Sequence, residues 1–391
     1  MSVYLDYQAT SPMPEAIREI YVEALAGVGN PSSIHQAGQR QRALLEDSRE
    51  RIAAVVGSEA IEVVFTSGGT EAINTALKGA VWAQHSAQGE NPPARVVATR
   101  AEHHATLDAL EWLSTHEGTE IGWVRVDQNS MMDTEALGAT LRGHPATLVT
   151  TLLANNEVGS LQPVEDIARI AREHGVPVHV DAIAALGYVP VNFQALGVSA
   201  MSVSAHKVGG PVGVGALILS RHAPELTALV HGGDQQRVRS GTLDVAGVVA
   251  FAAALELRER WRVEHTDRLR TVRDSLSKGL VAAVPEIIIR GSLEQRLPGN
   301  LHVTMPGCEG DVLLYLLDQE GIQVSTGSAC QAGIPEPSHV LLAMGLSEPE
   351  ARGTLRFSLG YHTSQEDIER VVSVFPSVVK QAQGAGMASG R

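Results

Sequence analysis

The chain has 391 residues, of which 44% are hydrophobic and 19% charged, with a net charge of −14 at neutral pH. That length exceeds one comfortable core, so two domains are expected, and the composition is that of a globular protein. The negative balance argues against direct nucleic-acid binding, and no apolar run of about 18 residues offers a membrane span.

The first residues, MSVYLDYQATSP, lack a basic segment followed by an apolar stretch, so no signal peptide is expected. Cys308 and Cys330 are the only cysteines. They cannot make a disulfide framework, and no Cys/His cluster has zinc spacing, so a reducing, cytoplasmic setting fits.

Residues 1–35 read as irregular, ending in Gly-Asn-Pro-Ser-Ser-Ile-His, and helical periodicity starts near Gln36 and runs past Val55. A strand at 62–66, a tight turn Ser67-Gly-Gly-Thr70 and a helix from Glu71 follow. The alternation repeats: strand 95–99 and helix 104–114, strand 147–153 and helix 164–174, then strand 176–181. Strands alternating with helices predict a mostly parallel sheet covered on both faces, with ligands beyond the strands' carboxyl ends. Residues 200–217 read as strand, exposed polar turn and strand.

The pattern changes after about residue 245. A long helix over 245–276 precedes strands near 286–289, 300–303, 322–325 and 354–358, with helices at 309–319 and 365–381. This predicts a smaller α+β domain. The expected division is an N-terminal segment 1–14 packing with the small domain, a large domain 15–255, and a small domain 256–391 with a flexible tail from 384.

Polar residues gather where the first domain's strands end. Ser67-Gly-Gly-Thr70 can cup a phosphate at a helix N-terminus, or be an ordinary capped turn. In Ala101-Glu-His-His104 a histidine can stack on a flat ring or shuttle protons, or simply be one of a surface pair. Ala154-Asn-Asn-Glu-Val-Gly159 offers amides for a carboxylate or a ring substituent, or a turn. Asp181 closes an apolar strand and needs a partner, either a protonated pyridine nitrogen or a helix N-terminus. Lys207, one of four lysines, lies between an apolar strand and a Gly/Pro turn, where it can form a Schiff base with a carbonyl cofactor or stay solvated. Together these are the requirements of pyridoxal 5'-phosphate: a phosphate cup, a stacking ring, an acid partner and a lysine.

The stretches YLDYQAT, GNPSSIHQAG, FTSGGTEAIN, AEHHATL, ANNEVG, HVDA, SAHK, RSGT, VSTGSACQAG, EPSHVL and LRFSLG stand in this order from residue 4 to 360. In them the chain resembles a cysteine desulfurase of the NifS/IscS-like group, within the class V aminotransferases. The resemblance implies the fold of type I pyridoxal-phosphate enzymes, an α/β large domain with a mostly parallel sheet plus a smaller C-terminal α+β domain. It implies a homodimer that converts L-cysteine to L-alanine.

By the same resemblance Lys207 carries the cofactor, Asp181 pairs with its ring nitrogen, and His103 stacks on it and carries the substrate thiol's proton. Gly69, Thr70, Ser204 and His206 hold the phosphate, with Thr242 reaching in from a second subunit. Asn156, beside the cofactor, and Arg356 are expected at the substrate carboxylate, where an arginine fork binds bidentately; Arg356 can also serve a salt bridge within the small domain. Cys330, in a loop rich in small residues and proline, is expected to take the sulfur as a persulfide. An acceptor then receives it, an iron–sulfur scaffold or a thiolation enzyme. Cys308 is expected to be structural.

Three departures from the family pattern stand out: Ala184 where a glutamine donor is usual, a shortened stretch at 231–239, and Val212 in place of a lysine. They keep open a rival reading as a sulfur-relay or scaffold protein. An aminotransferase or selenocysteine lyase on the same fold is the enzymatic rival, and transamination would need no thiol.

Overall fold

The computed structural model describes residues 2–86, 93–233, 236–327 and 337–389, with side chains to 384. In chain order its strands are β1 (Val3–Tyr4), β2 (Val63–Thr66), β3 (Arg95–Thr99), β4 (Glu120–Val124), β5 (Leu148–Leu152), β6 (Val178–Asp181), β7 (Ala200–Ser204), β8 (Gly215–Leu219), β9 (Ile288–Arg290), β10 (Asn300–Thr304), β11 (Ile322–Gln323) and β12 (Thr354–Ser358).

Seven strands form one sheet in the order β2-β8-β7-β6-β5-β3-β4. β8 runs antiparallel to β2 and β7, and the pairs β3–β4, β3–β5, β5–β6 and β6–β7 are parallel. Parallel strands are buried on both faces, and every residue of β5, β6 and β7 is buried. Alternation assigns the faces. Val96 and Ala98 pack with Ile73, Leu77 and Leu110, whereas Val97 and Val149 join the cluster of Ile52 and Ile167. Leu110 and Val97 have no exposed surface, and such burial contributes ~1.5–3 kcal/mol per side chain.

The helix Gln36–Val56 is capped at its start by His35, which accepts the Gly38 N–H, and ends at Gly57 with φ 68°. The helix Val245–Ala283 packs against it and runs without a break across residue 255. Beyond it lie the antiparallel sheet β12-β10-β9 and the parallel pair β1–β11. β1 therefore ties the N-terminal residues to the C-terminal part of the chain.

Several elements differ from the sequence reading. Residues Glu15–Leu25 form a helix where irregular chain is expected. Ile17 is buried and Ile20, Tyr21 and Ala24 are half-buried, one face at helical spacing, while Val22 and Leu25 on the other side stay exposed and blur that pattern in the sequence. The edge strand β4 and the helix Thr134–Gly143 also escape the reading. In β4, Gly122 and Glu120 dilute the strand pattern; a Cβ at Gly122 would stand 2.8 Å from an Arg95 nitrogen. The closing helix runs to Ser389 rather than to 381. The turn at Lys207 is covered rather than exposed. Ser11 donates its N–H to His206 O at 3.0 Å and its hydroxyl to Lys207 O at 2.7 Å, so the N-terminal segment lies over it.

Candidate active site

Strands β2, β5, β6 and β7 end at the same edge of the large sheet. There a cavity of about 280 Å³ is lined by Gly69, Thr70, His103, Asn156, Asp181, Ser204, His206 and Lys207. Ala9, Ile73, Ala105, Leu152, Ile183 and Ala184 complete its wall. Eight residues singled out in the sequence thus meet in one place, because parallel strands deliver their ends to one edge.

Gly69 opens the helix Gly69–Ser86, whose first-turn amides have no intrahelical acceptor. A Cβ on Gly69 would stand 2.1 Å from Ile183 Cδ1, so glycine keeps this corner open. Glu71 steadies the turn by accepting the Ser67 N–H at 2.7 Å and pairing with Arg239 Nε at 2.9 Å.

Asp181 is buried at the end of β6, where Oδ1 accepts the Ile183 N–H at 2.9 Å. Burial pushes its pKa up to about 6, opposed by that N–H and by Lys207. Lys207 donates from Nζ to the carbonyls of Gln8 and Ala9. Burial, then Arg356, lowers its pKa to about 8, while Asp181 and Asp6 oppose the shift. His103 caps the helix His104–Glu117, its Nδ1 accepting the Ala105 N–H at 3.0 Å. The neutral ring therefore carries its proton on Nε2. The ring remains accessible from the cavity, yet the surrounding protein and then Lys207 push its pKa down, to about 4. His206 is held down to about 4 by burial and then by Lys207, and its Nδ1 lies 3.4 Å from Thr10 Oγ1.

The two asparagines after β5 divide their work. Asn155 shapes the turn, accepting the Glu157 and Val158 N–H groups and donating to Ala101 O. Asn156 lines the cavity, and its buried Oδ1 has no hydrogen-bond partner among the described residues. Arg356 sits beside the cavity rather than in its wall. Its NH2 donates to Asp6 Oδ1 at 2.7 Å and its NH1 to Asn156 O at 2.8 Å, while Nε is buried without a partner among the described residues. The salt bridge open at Arg356 thus exists, and it reaches the N-terminal segment rather than another small-domain residue.

Pyridoxal phosphate fits these residues. A buried carboxylate, a half-buried amine resting on carbonyls, an amide oxygen without a partner among the described residues and a glycine-floored helix N-terminus match the ring nitrogen, aldehyde, ring substituent and phosphate. Ala184 is in the wall, and its side chain supplies no donor. Thr242 is exposed and lies outside the lining of this chain's cavity. Cys330 lies outside the described residues, as does Asp234. Val212 is exposed on the Gly/Pro turn. Cys308 is buried, with Sγ 3.9 Å from Val379 O, and burial and then Glu309 raise its pKa.

Within YLDYQAT nothing in the sequence marks a task for Asp6, Gln8 or Ala9, nor within ANNEVG one for Glu157. Glu157 is buried and accepts the Ser338 hydroxyl at 2.5 Å. A carboxylate in a turn carries no sign of a partner 181 residues away.

The model of the family described as "Aminotransferase class-V" matches residues 3–371. The chain is 44% identical over 389 residues to an IscS-like cysteine desulfurase of Mycobacterium tuberculosis, covering 99% of this chain and 98% of that protein. Among solved structures, a NifS-like protein superposes with a TM-score of 0.88 at 33% identity, over 97% of this chain and 100% of that one. The structure titled "SspA in complex with cysteine" gives a TM-score of 0.77 at 29% identity, covering 92% and 99% of the two chains.

Proposed function

The chain belongs to the class-V aminotransferase family and is a pyridoxal-phosphate-dependent cysteine desulfurase, and from that premise we propose the following division of labour among its residues. Lys207 holds the cofactor's aldehyde carbon, Asp181 its ring nitrogen, His103 its face, and Gly69, Thr70, Ser204 and His206 its phosphate. The observation that carries this reading is the juxtaposition of Lys207 and Asp181 in one cavity. Asp181 is buried and Lys207 half-buried, and both are shifted toward their neutral forms.

The bound cofactor supplies a sink for the electron pair left when a Cα proton departs. Once released by substrate, Lys207, with its pKa near 8, is the base that removes the proton. Asn156 and Arg356 hold the substrate carboxylate, Arg356 being steadied by Asp6. His103 carries the substrate thiol's proton through Nε2. The Cys330 thiolate attacks the substrate sulfur. An S–S bond forms, the Cβ–S bond breaks, and its electron pair stays with the carbon that becomes the alanine methyl group. The Cys330 persulfide then passes to an acceptor protein with a thiol, an iron–sulfur scaffold or a thiolation enzyme.

We also propose a homodimer. The motive is apolar surface: Val28 is 81% exposed, Ile34 92% and Val212 78%. Thr242, exposed in one copy, completes the phosphate site of the other. Light scattering of the purified protein tests this, and a monomer at micromolar concentration sinks it. Among the described residues no helix is long and apolar enough to cross a membrane, and a cytoplasmic location is the proposed setting.

The decisive experiment incubates the protein with cofactor and L-cysteine, then maps its peptides. Alanine in step with sulfide, and one added sulfur atom at Cys330, are expected. A keto acid in place of alanine turns the assignment to transamination, and no turnover turns it to a relay protein.

A further inference from the structure

Residues 328–336, which include Cys330, lie outside the described residues; the residues on either side of them are described. On the N-terminal side, Ser325 exchanges two backbone hydrogen bonds with Arg356, N–H to O in both directions. Two residues on, Gly327 has φ 87°, and a Cβ there would stand 3.2 Å from Glu157 Oε2. The carboxylate therefore occupies the space that a side chain at 327 would need. On the C-terminal side, Ser338 donates its hydroxyl to the same Glu157 Oε2. Ser338 Oγ also accepts the Leu341 N–H at 3.2 Å, capping the helix His339–Ala343.

One carboxylate oxygen thus meets both flanks. Glu157 is itself fixed from behind, since its N–H donates to Asn155 Oδ1 and its carbonyl accepts from Asn300 Nδ2 at 2.9 Å. The same Asn300 Nδ2 donates to Gln8 Oε1 at 2.8 Å, and the Gln8 carbonyl receives Lys207 Nζ. Asn156, next in the chain, lines the cofactor cavity, and its carbonyl holds Arg356. Glu157 is 1% exposed, a costly place for a carboxylate unless its contacts matter.

We propose that Glu157 is a positioning residue for sulfur transfer: by holding Ser338 and standing against Gly327, the two described flanks of Cys330, it supports transfer of the substrate sulfur to that thiol without touching the substrate or the cofactor. The proposal rests on the desulfurase roles given above and adds a residue to which they give no part. A hydrogen bond from a hydroxyl to a buried carboxylate is charge-assisted and among the stronger kinds. Breaking it costs order at the flank and leaves the chemistry at Cα alone.

The test uses the full chain with cofactor, as Glu157→Ala, Glu157→Gln, Ser338→Ala and the Glu157→Ala/Ser338→Ala pair. Single-turnover persulfide formation at Cys330 should fall about tenfold or more in both single alanine variants, and no further in the double variant. Glu157→Gln keeps an acceptor oxygen and should retain most of the rate. Exchange of the substrate Cα proton with deuterated water, which reads the cofactor site alone, should stay within about twofold of the parent. In cofactor-free protein, the Leu341 amide should exchange faster with solvent in the alanine variants, a readout independent of turnover. Persulfide rates within twofold of the parent in Glu157→Ala and Ser338→Ala overturn the proposal. So does a fall in Cα-proton exchange that matches the fall in persulfide, because Glu157 would then be serving the cofactor cavity. A parent protein that places no sulfur on Cys330 overturns the underlying desulfurase roles instead, and that is read before any variant.

Discussion

The guanidinium of Arg356 is held by the carboxylate of Asp6, 2.7 Å away across 350 residues of chain. β12 carries the arginine and the segment after β1 carries the acid, so the pair closes the N-terminal segment over the site. Arg356 NH1 and NH2 are engaged by Asn156 O and Asp6, and among the described residues its buried Nε has no partner. Removing one partner of such a pair leaves the other charge uncompensated, at a cost of ~3–5 kcal/mol when both are buried. Asp6 is partly exposed, so the lower end applies. Asp6→Ala should lower the melting temperature and raise the KM for cysteine about tenfold, with a smaller change in kcat. An unchanged KM would detach Arg356 from the substrate carboxylate.

Lys207 gives the site its pH dependence. Its amine titrates near 8 in the folded protein against 10.5 unperturbed, so between those values the unfolded chain binds more protons. The Lys207 contribution to stability therefore rises with pH across that window. In cofactor-free protein, Lys207→Met should be more stable than the parent below pH 8, with the gap closing toward pH 10.5. Acylation of Lys207 by an amine reagent, followed by peptide mapping, should be half-maximal near pH 8. Borohydride reduction of the cofactor-loaded protein should place the label at the same residue. A label at Lys78, Lys278 or Lys380, or an acylation midpoint near 10.5, would falsify the assignment.

The two cysteines should separate cleanly. Cys308 is buried, and burial and Glu309 both disfavour its thiolate. Iodoacetamide at pH 7.5 should modify Cys330 and leave Cys308 untouched in the folded protein. Cys308→Ser should keep turnover within about twofold, whereas Cys330→Ser should keep the cofactor colour and lose persulfide. Turnover lost in the first variant and kept in the second would mean that the roles are reversed.

Ala184 is in the cavity wall, and its methyl side chain has no donor to offer. A hydrogen bond to a charged oxygen is worth ~1.5–3 kcal/mol, or about one to two pKa units. The cofactor's phenolate oxygen shares charge with the nitrogen joined to Lys207, so without a donor that nitrogen holds its proton more tightly. Ala184→Gln should lower the pH midpoint of the bound cofactor's absorbance band and speed Cα-proton loss. Equal midpoints and equal rates in the two proteins would make the departure at 184 neutral.

Much of this was legible in the chain itself. Apolar runs that stop at Thr66, Asp181 and Ser204 announce strands of a two-sided sheet, and the rule that such strands present ligands at their carboxyl ends brought His103, Asn156, Asp181 and Lys207 to one site before any coordinates. Local signals carry that far because each strand is named by its own residues. The helix Glu15–Leu25 was not legible, since its partner is the helix Val245–Ala283 and the exposed Val22 and Leu25 blur the face that Ile17, Ile20, Tyr21 and Ala24 turn inward. Nor were the pairs Asp6–Arg356 and Glu157–Ser338, or the carbonyls of Gln8 and Ala9 beneath Lys207. Each of these joins side chains or carbonyls at separations of 181 to 350 residues. Periodicity, turn chemistry and strand ends are properties of neighbouring residues; a buried charge chooses its partner only when the chain has closed around it, and that choice belongs to the tertiary structure alone.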